Sequence, residues 1–477
     1  MLATVNLPIS MGFVLSIIFF ITLYLTPTTL FGSLAQFRIE LIIAVLILFV
    51  SLPALMKSFI LKTPQLLALI GLAMAVFLSV FIGRRWLGGA VPAFFDFFPV
   101  IFVYFVVCLH FNSKKKLQVL VFMMMFVCLF VIAHGAADLF HGVPKSGPPI
   151  SADTGEVSSY QWNLQHPYLF PMANSKGELI YRLRGLGEIN DPNDFGQLLI
   201  CTIPLMFIFW RPKRGLGNFV FVILPVCVLM YGTFLTHSRG ALLGLVAVAV
   251  VAARRRIGTL PSLLLAGGLF VGLMALSFTG GRDISADSGV DRTALWGESL
   301  QLFKSHPLFG VGVGRTAELT DSHHTSHNSV AVCAAELGFF GLYFWSLFLF
   351  STVRDALVIA SPLKVNAGNP IIIEEAPYPL AIRKIETLDQ ADVNQLGRLL
   401  LLSLTGFLVT AWFLSRTFAV TFFLLGGMVE AVFEMALQRG MIAPRMRLLR
   451  VLLYSGVLAV SLVLILYVML RILNLAH

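Results

Sequence analysis

The chain of 477 residues is 58% hydrophobic and only 12% charged, with a mean hydropathy of +0.88. A soluble protein of this length cannot bury so much apolar surface, and continuous apolar runs near twenty residues recur along the chain. The composition therefore predicts a polytopic α-helical membrane protein and excludes a β-barrel, whose strands would alternate. The net charge of +10 does not indicate nucleic-acid binding, because the basic residues lie at predicted helix ends beside anionic lipid head groups.

The apolar runs predict an all-α fold with about twelve or thirteen transmembrane helices. The predicted spans, in chain order, cover residues 11–30, 39–55, 64–82, 92–111, 117–135, 195–210, 218–236, 240–252, 259–278, 328–352, 397–414, 417–437 and 451–471. The first span has no basic segment before it and no small-residue cleavage site after it, so we expect a retained helix. Five cysteines without paired spacing are expected to be small core residues: Cys108, Cys128, Cys201, Cys227 and Cys333.

The basic residues between these spans predict the orientation of the chain. With a cytoplasmic N-terminus, most of them fall on the cytoplasmic face, as is typical of membrane proteins: Lys57, Lys62, Lys114 to Lys116, Arg211, Lys213, Arg214, Arg254 to Arg256, Arg439, Arg445, Arg447 and Arg450. The other face keeps fewer cations: Arg38, Arg84, Arg85, Arg239, Arg416 and Arg471. The pair Arg84-Arg85 runs against this rule.

The same alternation predicts the domain organisation. Residues 1–477 form a single transmembrane domain, and the loops 136–194 and 280–327 both emerge on the non-cytoplasmic face. The segment 354–396 is predicted to be a cytoplasmic insertion without a catalytic pattern. We therefore expect loops on the non-cytoplasmic face to form an active site.

Two arginines in these outer segments are candidate anion ligands. Arg239 lies between two apolar runs, flanked by Ser238 and Gly240, whose small size lets a bulky anion approach; the alternative is an arginine that anchors a helix end at the membrane surface. Arg292 begins a predicted amphipathic helix over 291–304 with Trp296 at the interface. A cation is unfavourable at a helix N-terminus, so a nearby anion would explain Arg292; the alternative is a solvated surface arginine.

A third candidate segment joins the loop 136–194 to a membrane helix. Arg184-Gly185 precedes the turn Asp191-Pro192-Asn193, and Asn193 or Asp194 is expected to cap the helix that follows. The segment predicts a loop-to-helix junction, and Arg184 is its candidate ligand.

The stretch from His306 to Leu342 combines glycine turns, four histidines and the start of an apolar helix. His323, His324 and His327 invite a zinc site, but their spacing fits neither a helical His-x-x-x-His pair nor a Cys/His pattern. A neutral His327 suits general-base chemistry better, whereas the alternative is a loop whose histidines only cap the next helix. Glu336 lies about 13 Å further along that helix, on its opposite face, so it does not orient His327 directly.

Taken together, these segments resemble the O-antigen ligase and O-antigen polymerase superfamily of bacterial membrane glycosyltransferases. The resemblance rests on residues between about 180 and 345: Arg184-Gly185 with Asp191-Pro192-Asn193, Ser238-Arg239-Gly240, Arg292 with Trp296, His306 to Gly310 with Gly312 and Gly314, and His327-Asn328 followed by Glu336 and Gly338.

The resemblance implies transfer of a glycan from a polyprenyl (undecaprenyl) diphosphate carrier to an acceptor hydroxyl on the periplasmic face of the bacterial inner membrane. It assigns Arg239 and Arg292 to the diphosphate and His327 to activation of the acceptor, which is a glycan, a lipid A-core or a protein. We further expect substrate-binding roles for a second set of residues: Arg184, Asn193, Arg315, His324, Asn328 and Glu336. No cofactor and no metal are expected.

The chemistry of the residues agrees with this assignment. Cleaving the bond between an anomeric carbon and a diphosphate develops negative charge, which fixed guanidinium groups stabilise well at a low-dielectric membrane edge. Two arginines can thereby replace a divalent metal, and the reaction is expected to invert the anomeric carbon. The rival interpretations are a lipid-linked glycan transporter or flippase and a protein O-oligosaccharyltransferase.

Overall fold

A computed structural model of the chain describes residues 10–27, 32–56, 63–143, 162, 165–173, 179–275, 292–321, 323–361 and 388–472. The longer helices in these residues are α1 Met11–Leu25, α2 Ile39–Met56, α3 Pro64–Leu78, α4 Leu87–Asp96, α5 Phe98–His110, α6 Lys114–His141, α7 Pro192–Leu205, α8 Leu224–Leu235, α9 Arg239–Ile257, α10 Thr259–Ala275, α11 Arg292–Ser305, α12 Ser329–Ala360, α13 Gln390–Ala411, α14 Val420–Leu437 and α15 Leu448–Ile472. π-Helical turns, Ser79–Gly83 and Phe219–Ile223, follow α3 and precede α8.

The helices confirm the predicted all-α polytopic fold. Each of the predicted spans overlaps a helix in the described residues, and ten of these helices are long and apolar enough to cross a bilayer. Two more spans correspond to the shorter apolar helices Met11–Leu25 and Thr259–Leu273. The span predicted at 240–252 extends in α9 to Ile257 and so gains the arginines at its C-terminus.

Helical ends extend into the segments that were predicted as loops. Helix α6 continues to His141, α12 continues to Ala360 and α13 begins at Gln390. The loop before α7 contains an antiparallel hairpin of β1 Leu169–Ala173 and β2 Leu179–Leu183, with Leu169 opposite Leu183. The middle of the segment 354–396 lies outside the described residues.

Side-chain contacts show which helix ends lie together. At one end, Gln65 Nε2 donates to Asp355 Oδ2 at 2.8 Å, and Lys114 pairs with Asp392. We call this end, which also holds Arg445 paired with Glu430, the basic end. Helix α7 runs antiparallel to α13, since Gln197 bonds Thr410 whereas Gln395 bonds the Phe207 carbonyl. The opposite end, which holds the N-termini of α7, α9 and α12, is called the site end.

Helix α12 is broken at Gly338, where the backbone has φ 65° and ψ −166°. Ser329 and Trp345 lie on either side of this break, and both hydrogen-bond to Thr417. A straight helix would separate two residues sixteen positions apart by about 24 Å, so α12 bends sharply. The span predicted over 328–352 is present, but no break was predicted inside it. Its apolar composition concealed the bend, because both halves are buried against other helices.

The segment 307–312, which precedes the single helical turn Thr316–Leu319, fills this break. Four backbone hydrogen bonds join it to the two halves of α12: Val311 N to Ala335 O (2.9 Å), Gly312 N to Glu336 O (3.1 Å), Phe339 N to Pro307 O (2.7 Å) and Phe340 N to Leu308 O (3.1 Å). These bonds satisfy the backbone groups that the bend frees, which is the condition for a broken helix inside a membrane protein. A Cβ on Gly338 would lie 2.4 Å from the Leu308 carbonyl, so the close approach requires glycine.

Candidate active site

Several distant parts of the chain meet at the site end. The start of α7 contacts the start of α9, because a Cβ on Gly196 would lie 3.0 Å from Ala241 Cβ. The start of α9 contacts the α13–α14 connection, since a Cβ on Gly240 would lie 3.6 Å from Phe413 Cβ. The N-termini of α7, α9 and α12 thus converge, and the positive ends of their dipoles favour an anion at this place.

His327 occupies a tight turn at the start of α12. Its backbone is left-handed, with φ 47°, and its N–H donates to Ser415 Oγ at 2.8 Å. Ser415 Oγ in turn donates to Thr325 Oγ1 at 2.8 Å. The next residue, Asn328, is the N-cap of α12, and its side-chain oxygen accepts from Val330 N at 2.9 Å. The prediction that the helix begins at this junction is confirmed.

Further hydrogen bonds tie the His327 turn to the α13–α14 connection. Ser329 Oγ donates to the Leu414 carbonyl at 2.7 Å and accepts from Arg416 N at 3.1 Å. Thr417 Oγ1 donates to the Ser329 carbonyl at 3.0 Å. The connection 412–419, for which the sequence suggested no role, therefore holds the candidate base in place.

Arg239 is the first residue of α9 and lies beside this connection. The N-cap is Ser238, whose buried hydroxyl accepts from Ala241 N at 3.3 Å. The cap fixes where the helix starts and so fixes the position of the half-buried Arg239. The neighbouring Gly240 faces Phe413, two residues before Ser415.

The helix that begins with Arg292 also packs against the His327 turn. Trp296 Nε1 donates to the Ser326 carbonyl at 2.7 Å, and the rings of Trp296 and Trp412 lie 6.2 Å apart, edge to face. This confirms the predicted helix and shows that Trp296 is buried rather than exposed at an interface. The side chain of Arg292 lies outside the described residues, but its helical position is one turn before Trp296.

Arg182, for which no role was predicted from the sequence, links the hairpin to α7 and to the C-terminus of α8. It is only 3% exposed, and it donates to the Thr236 carbonyl and to Asn193 Oδ1, both at 2.8 Å. The predicted ligand Arg184 instead donates from Nε to the Pro167 carbonyl at 3.0 Å within the hairpin. Burial lowers the pKa of Arg184, and Asp191 opposes this effect. Residues two apart on a strand share a face, so Arg182 could have been considered together with Arg184.

Arg416 is a second basic residue without a predicted role at this site. Its guanidinium pairs with the buried carboxylate of Asp194 in the first turn of α7. Burial acts to lower the pKa of Arg416, but the Asp194 carboxylate outweighs it and the net pKa is raised. Asp191, not Asn193 or Asp194, is the N-cap of α7, with Oδ1 accepting from Asn193 N at 2.7 Å. The prediction of the capping residue was therefore wrong by a few positions.

The Asp194–Arg416 pair borders a small cleft. Its lining includes Tyr24, Glu188, Gln197 and Thr421 in addition to the ion pair. The cleft is lined by both polar and apolar groups, and it lies next to the connection 412–419, which binds the His327 turn.

Part of the chain that forms this site matches a known protein family. Residues 223–346 match the family model described as O-antigen ligase. This part of the chain is similar to O-antigen ligases. The resemblance inferred from the sequence motifs is thereby confirmed. No curated protein matches the chain.

The O-antigen ligase segment includes some of the residues at the site end and not others. It extends from the end of the π-helical turn before α8 to Ser346, and so contains Arg239, Arg292 and His327. Arg182, Asn193, Asp194, Ser415 and Arg416 lie outside it. The contacts that hold the His327 turn and the start of α7 are therefore supplied largely by flanking parts of the chain.

The remaining predicted ligands lie around the break in α12 or on the surface. Glu336 is buried, and its Oε1 accepts from Thr316 Oγ1 at 2.8 Å and from Thr316 N at 3.3 Å. Arg315 Nε donates to Glu318 Oε2 at 3.2 Å. His324 is exposed, and its carbonyl accepts from Thr320 Oγ1 at 2.8 Å. The structure thus places Glu336 and Arg315 at the helix break, apart from the contacts that hold the His327 turn.

The histidine stretch does not assemble a metal-ligand group in the described part of the chain. Among these residues, no three histidine, cysteine, aspartate or glutamate side chains lie close enough together to hold an ion.

Proposed function

We propose that the protein is a membrane glycosyltransferase that moves a glycan from a polyprenyl diphosphate carrier to an acceptor hydroxyl. The observation that carries the proposal is the meeting of the Arg239 helix start, the Arg292 helix and the His327 turn at one end of the bundle. The O-antigen ligase family match over residues 223–346 supports the reaction class.

Departure of the diphosphate leaving group is the step for which the site end is best suited. As the bond between the anomeric carbon and the diphosphate oxygen breaks, the bonding electrons stay on that oxygen. Arg239 and Arg292 stabilise this charge through multiple N–H contacts, and the converging helix N-termini add partial positive charge. Arginine needs no metal for this role, because the guanidinium is charged throughout the working pH range.

His327 supplies the complementary proton transfer. Its neutral imidazole accepts the proton of the acceptor hydroxyl, whose oxygen then forms the new bond to the anomeric carbon opposite the departing diphosphate. One displacement of this kind inverts the anomeric configuration. The rigid turn built by Ser415 and Asn328 limits the motion of the imidazole relative to the two arginines.

The carrier lipid and the acceptor are the partners that this proposal requires. The prenyl tail remains among the membrane helices, while the glycan and its acceptor lie in the periplasm, the face to which the arginine distribution assigns the site end. A growing polysaccharide or a lipid A-core acceptor would make the enzyme an O-antigen polymerase or ligase. A protein hydroxyl would make it an O-oligosaccharyltransferase.

Complementation of a deletion strain tests the function and separates these acceptors. Accumulation of a single lipid-linked unit indicates a polymerase, whereas full-length chains that remain on the carrier indicate a ligase. Variants Arg239→Ala, Arg292→Ala and His327→Ala should insert normally and fail to restore the product. Arg38→Ala, which removes an exposed arginine elsewhere on the same predicted face, should restore it.

A transporter would behave differently in a purified system. Product formation from lipid-linked glycan and acceptor in detergent, without a second compartment, is expected of the enzyme. If the protein only moves lipid-linked glycan between leaflets and forms no product, the proposal is wrong.

A further inference from the structure

Two arginines that the proposed reaction does not use follow directly after α3 and its π-helical turn. Arg84 and Arg85 are exposed at the end of α3 opposite Gln65, which contacts Asp355 at the basic end. They therefore lie on the face from which lysine and arginine are normally depleted in membrane proteins. Because membrane topology disfavours these cations there, their presence calls for a compensating interaction.

The backbone around this pair is hydrogen-bonded, and the Arg84 side chain stacks on a neighbouring ring. Arg84 N donates to the Ser79 carbonyl at 3.1 Å, and Trp86 N donates to the Val80 carbonyl at 3.2 Å. Arg85 has a left-handed backbone with φ 56°. The Arg84 guanidinium lies 4.7 Å from the centre of the Trp86 ring. A stacked guanidinium keeps its N–H edge available for an anion while its face is occupied.

A third arginine approaches the pair from the loop that fills the break in α12. The position of a Cβ on Gly312 would be 3.4 Å from Arg84 Cβ and 3.6 Å from Arg315 Cδ, so these two atoms are no more than about 7 Å apart. Glu318 pairs with Arg315 and neutralises part of the charge. The cluster of Arg84, Arg85, Arg315 and Glu318 therefore keeps a net positive charge.

Exposed apolar side chains surround this cluster. Trp86 is 50% exposed, Leu87 57% and Leu308 65%, and Phe81 is exposed one turn earlier. Cations beside exposed apolar and tryptophan side chains are the chemistry of a lipid head-group site, in which acyl chains cover the apolar groups and the phosphate contacts the arginines. A soluble anion would not account for the apolar surround.

We propose that Arg84, Arg85 and Arg315 bind the phosphate of an anionic phospholipid in the leaflet at the site end. The bound lipid would also reinforce the bend in α12. A Cβ on Gly83 would lie 2.2 Å from the Gly310 carbonyl oxygen, and Gly312 N donates to the Glu336 carbonyl. The arginine cluster thus bridges α3 and the loop that closes the break, and a phosphate shared by both parts holds them together.

Photo-crosslinking of the full chain in nanodiscs tests this site without any assay of transfer. A photoactivatable phosphatidylglycerol probe should label peptides that contain residues 81–87 and 308–315. Unlabelled phosphatidylglycerol should compete with the probe, whereas phosphatidylcholine should not. In the variant Arg84→Gln/Arg85→Gln/Arg315→Gln, labelling of these peptides should be about fivefold weaker. A fivefold change in affinity corresponds to about 1 kcal/mol of binding free energy.

A matched variant controls for total charge and for folding. Arg254→Gln/Arg255→Gln/Arg256→Gln removes three arginines at the basic end and should leave labelling of the 81–87 and 308–315 peptides unchanged. If the first triple variant does not fold, Arg84→Gln alone should still reduce labelling. Unchanged labelling in the arginine-cluster variants would overturn the proposal. Stronger competition by polyprenyl diphosphate than by phosphatidylglycerol would overturn it as well, because the surface would then belong to the donor.

Discussion

The backbone N–H of His327 donates to Ser415 Oγ at 2.8 Å, across 88 positions of the chain. This bond connects the candidate base, inside the O-antigen ligase segment, to a short connection outside it. A histidine with a positive φ carries backbone strain that its surroundings must offset. Ser415 is therefore a positioning residue whose loss should affect transfer without removing any group that touches substrate.

Replacing Ser415 with alanine tests this relationship. Loss of one hydrogen bond of about 1 kcal/mol to a strained turn should lower the rate of glycan transfer roughly fivefold to tenfold. The effect should fall on kcat rather than on KM for the donor. Ser415→Thr keeps the hydroxyl and should retain most of the activity. Equal kcat values for Ser415→Ala and the unaltered protein would show that the bond does not position His327.

The Asp194–Arg416 pair should show strong coupling in a double-mutant cycle. Arg416→Ala leaves a buried carboxylate without its cation and should cost about 1–3 kcal/mol, less than for a fully buried pair because Arg416 is partly exposed. Asp194→Ala/Arg416→Ala should be less destabilising than Arg416→Ala alone. Thermal unfolding in detergent measures the stability of each variant. If the stability losses of the two single variants simply add up to that of the double variant, the coupling is contradicted.

The break in α12 should be intolerant of a side chain at Gly338. Gly338→Ala adds a Cβ 2.4 Å from backbone atoms in a conformation reserved for glycine, and we expect a loss of several kcal/mol or failure to fold. Gly314→Ala is the matched control: it also has a positive φ, of 76°, but its Cβ would meet nothing within 4 Å. That variant should lose only about 1–2 kcal/mol. Comparable unfolding temperatures for the two variants would argue against the bend.

Arg182 lies on β2 and Arg184 directly follows this strand, yet the two residues should differ in their importance. Arg182→Ala removes buried charge-assisted bonds to Thr236 and Asn193. It should therefore lower the free energy of unfolding by about 2–3 kcal/mol and also lower the rate of transfer. Arg184→Ala removes a bond within the hairpin and should have a smaller effect on both quantities. The reverse order would restore Arg184 as the ligand predicted from the sequence.

Several features of this molecule could be predicted from the sequence because they depend on local patterns. Long apolar runs specify membrane helices, and Asn328 before an apolar run specifies where α12 starts. Gly338 is a local sign of irregularity at the bend, since a glycine inside a helical pattern weakens the expectation of a regular helix. The long apolar run around Gly338 predicts a membrane helix, but it contains no clear sign of the bend.

Other features depend on pairing between distant segments, which no single-sequence pattern contains. Arg416 and Ser415 follow a predicted span and look like ordinary helix-end residues until Asp194 and His327 are found against them. Glu336, for which a substrate-binding role was predicted, has its carboxylate bonded to Thr316 at the helix break. In each case the role is decided by which chain segments the fold brings together.

The most direct test of the proposed active site is a transfer assay with purified protein, lipid-linked glycan and acceptor in detergent. Arg239→Ala, Arg292→Ala and His327→Ala should each reduce the initial rate by at least about a hundredfold, with unfolding temperatures within a few degrees of the unaltered protein. Near-normal rates in all three variants would contradict the account.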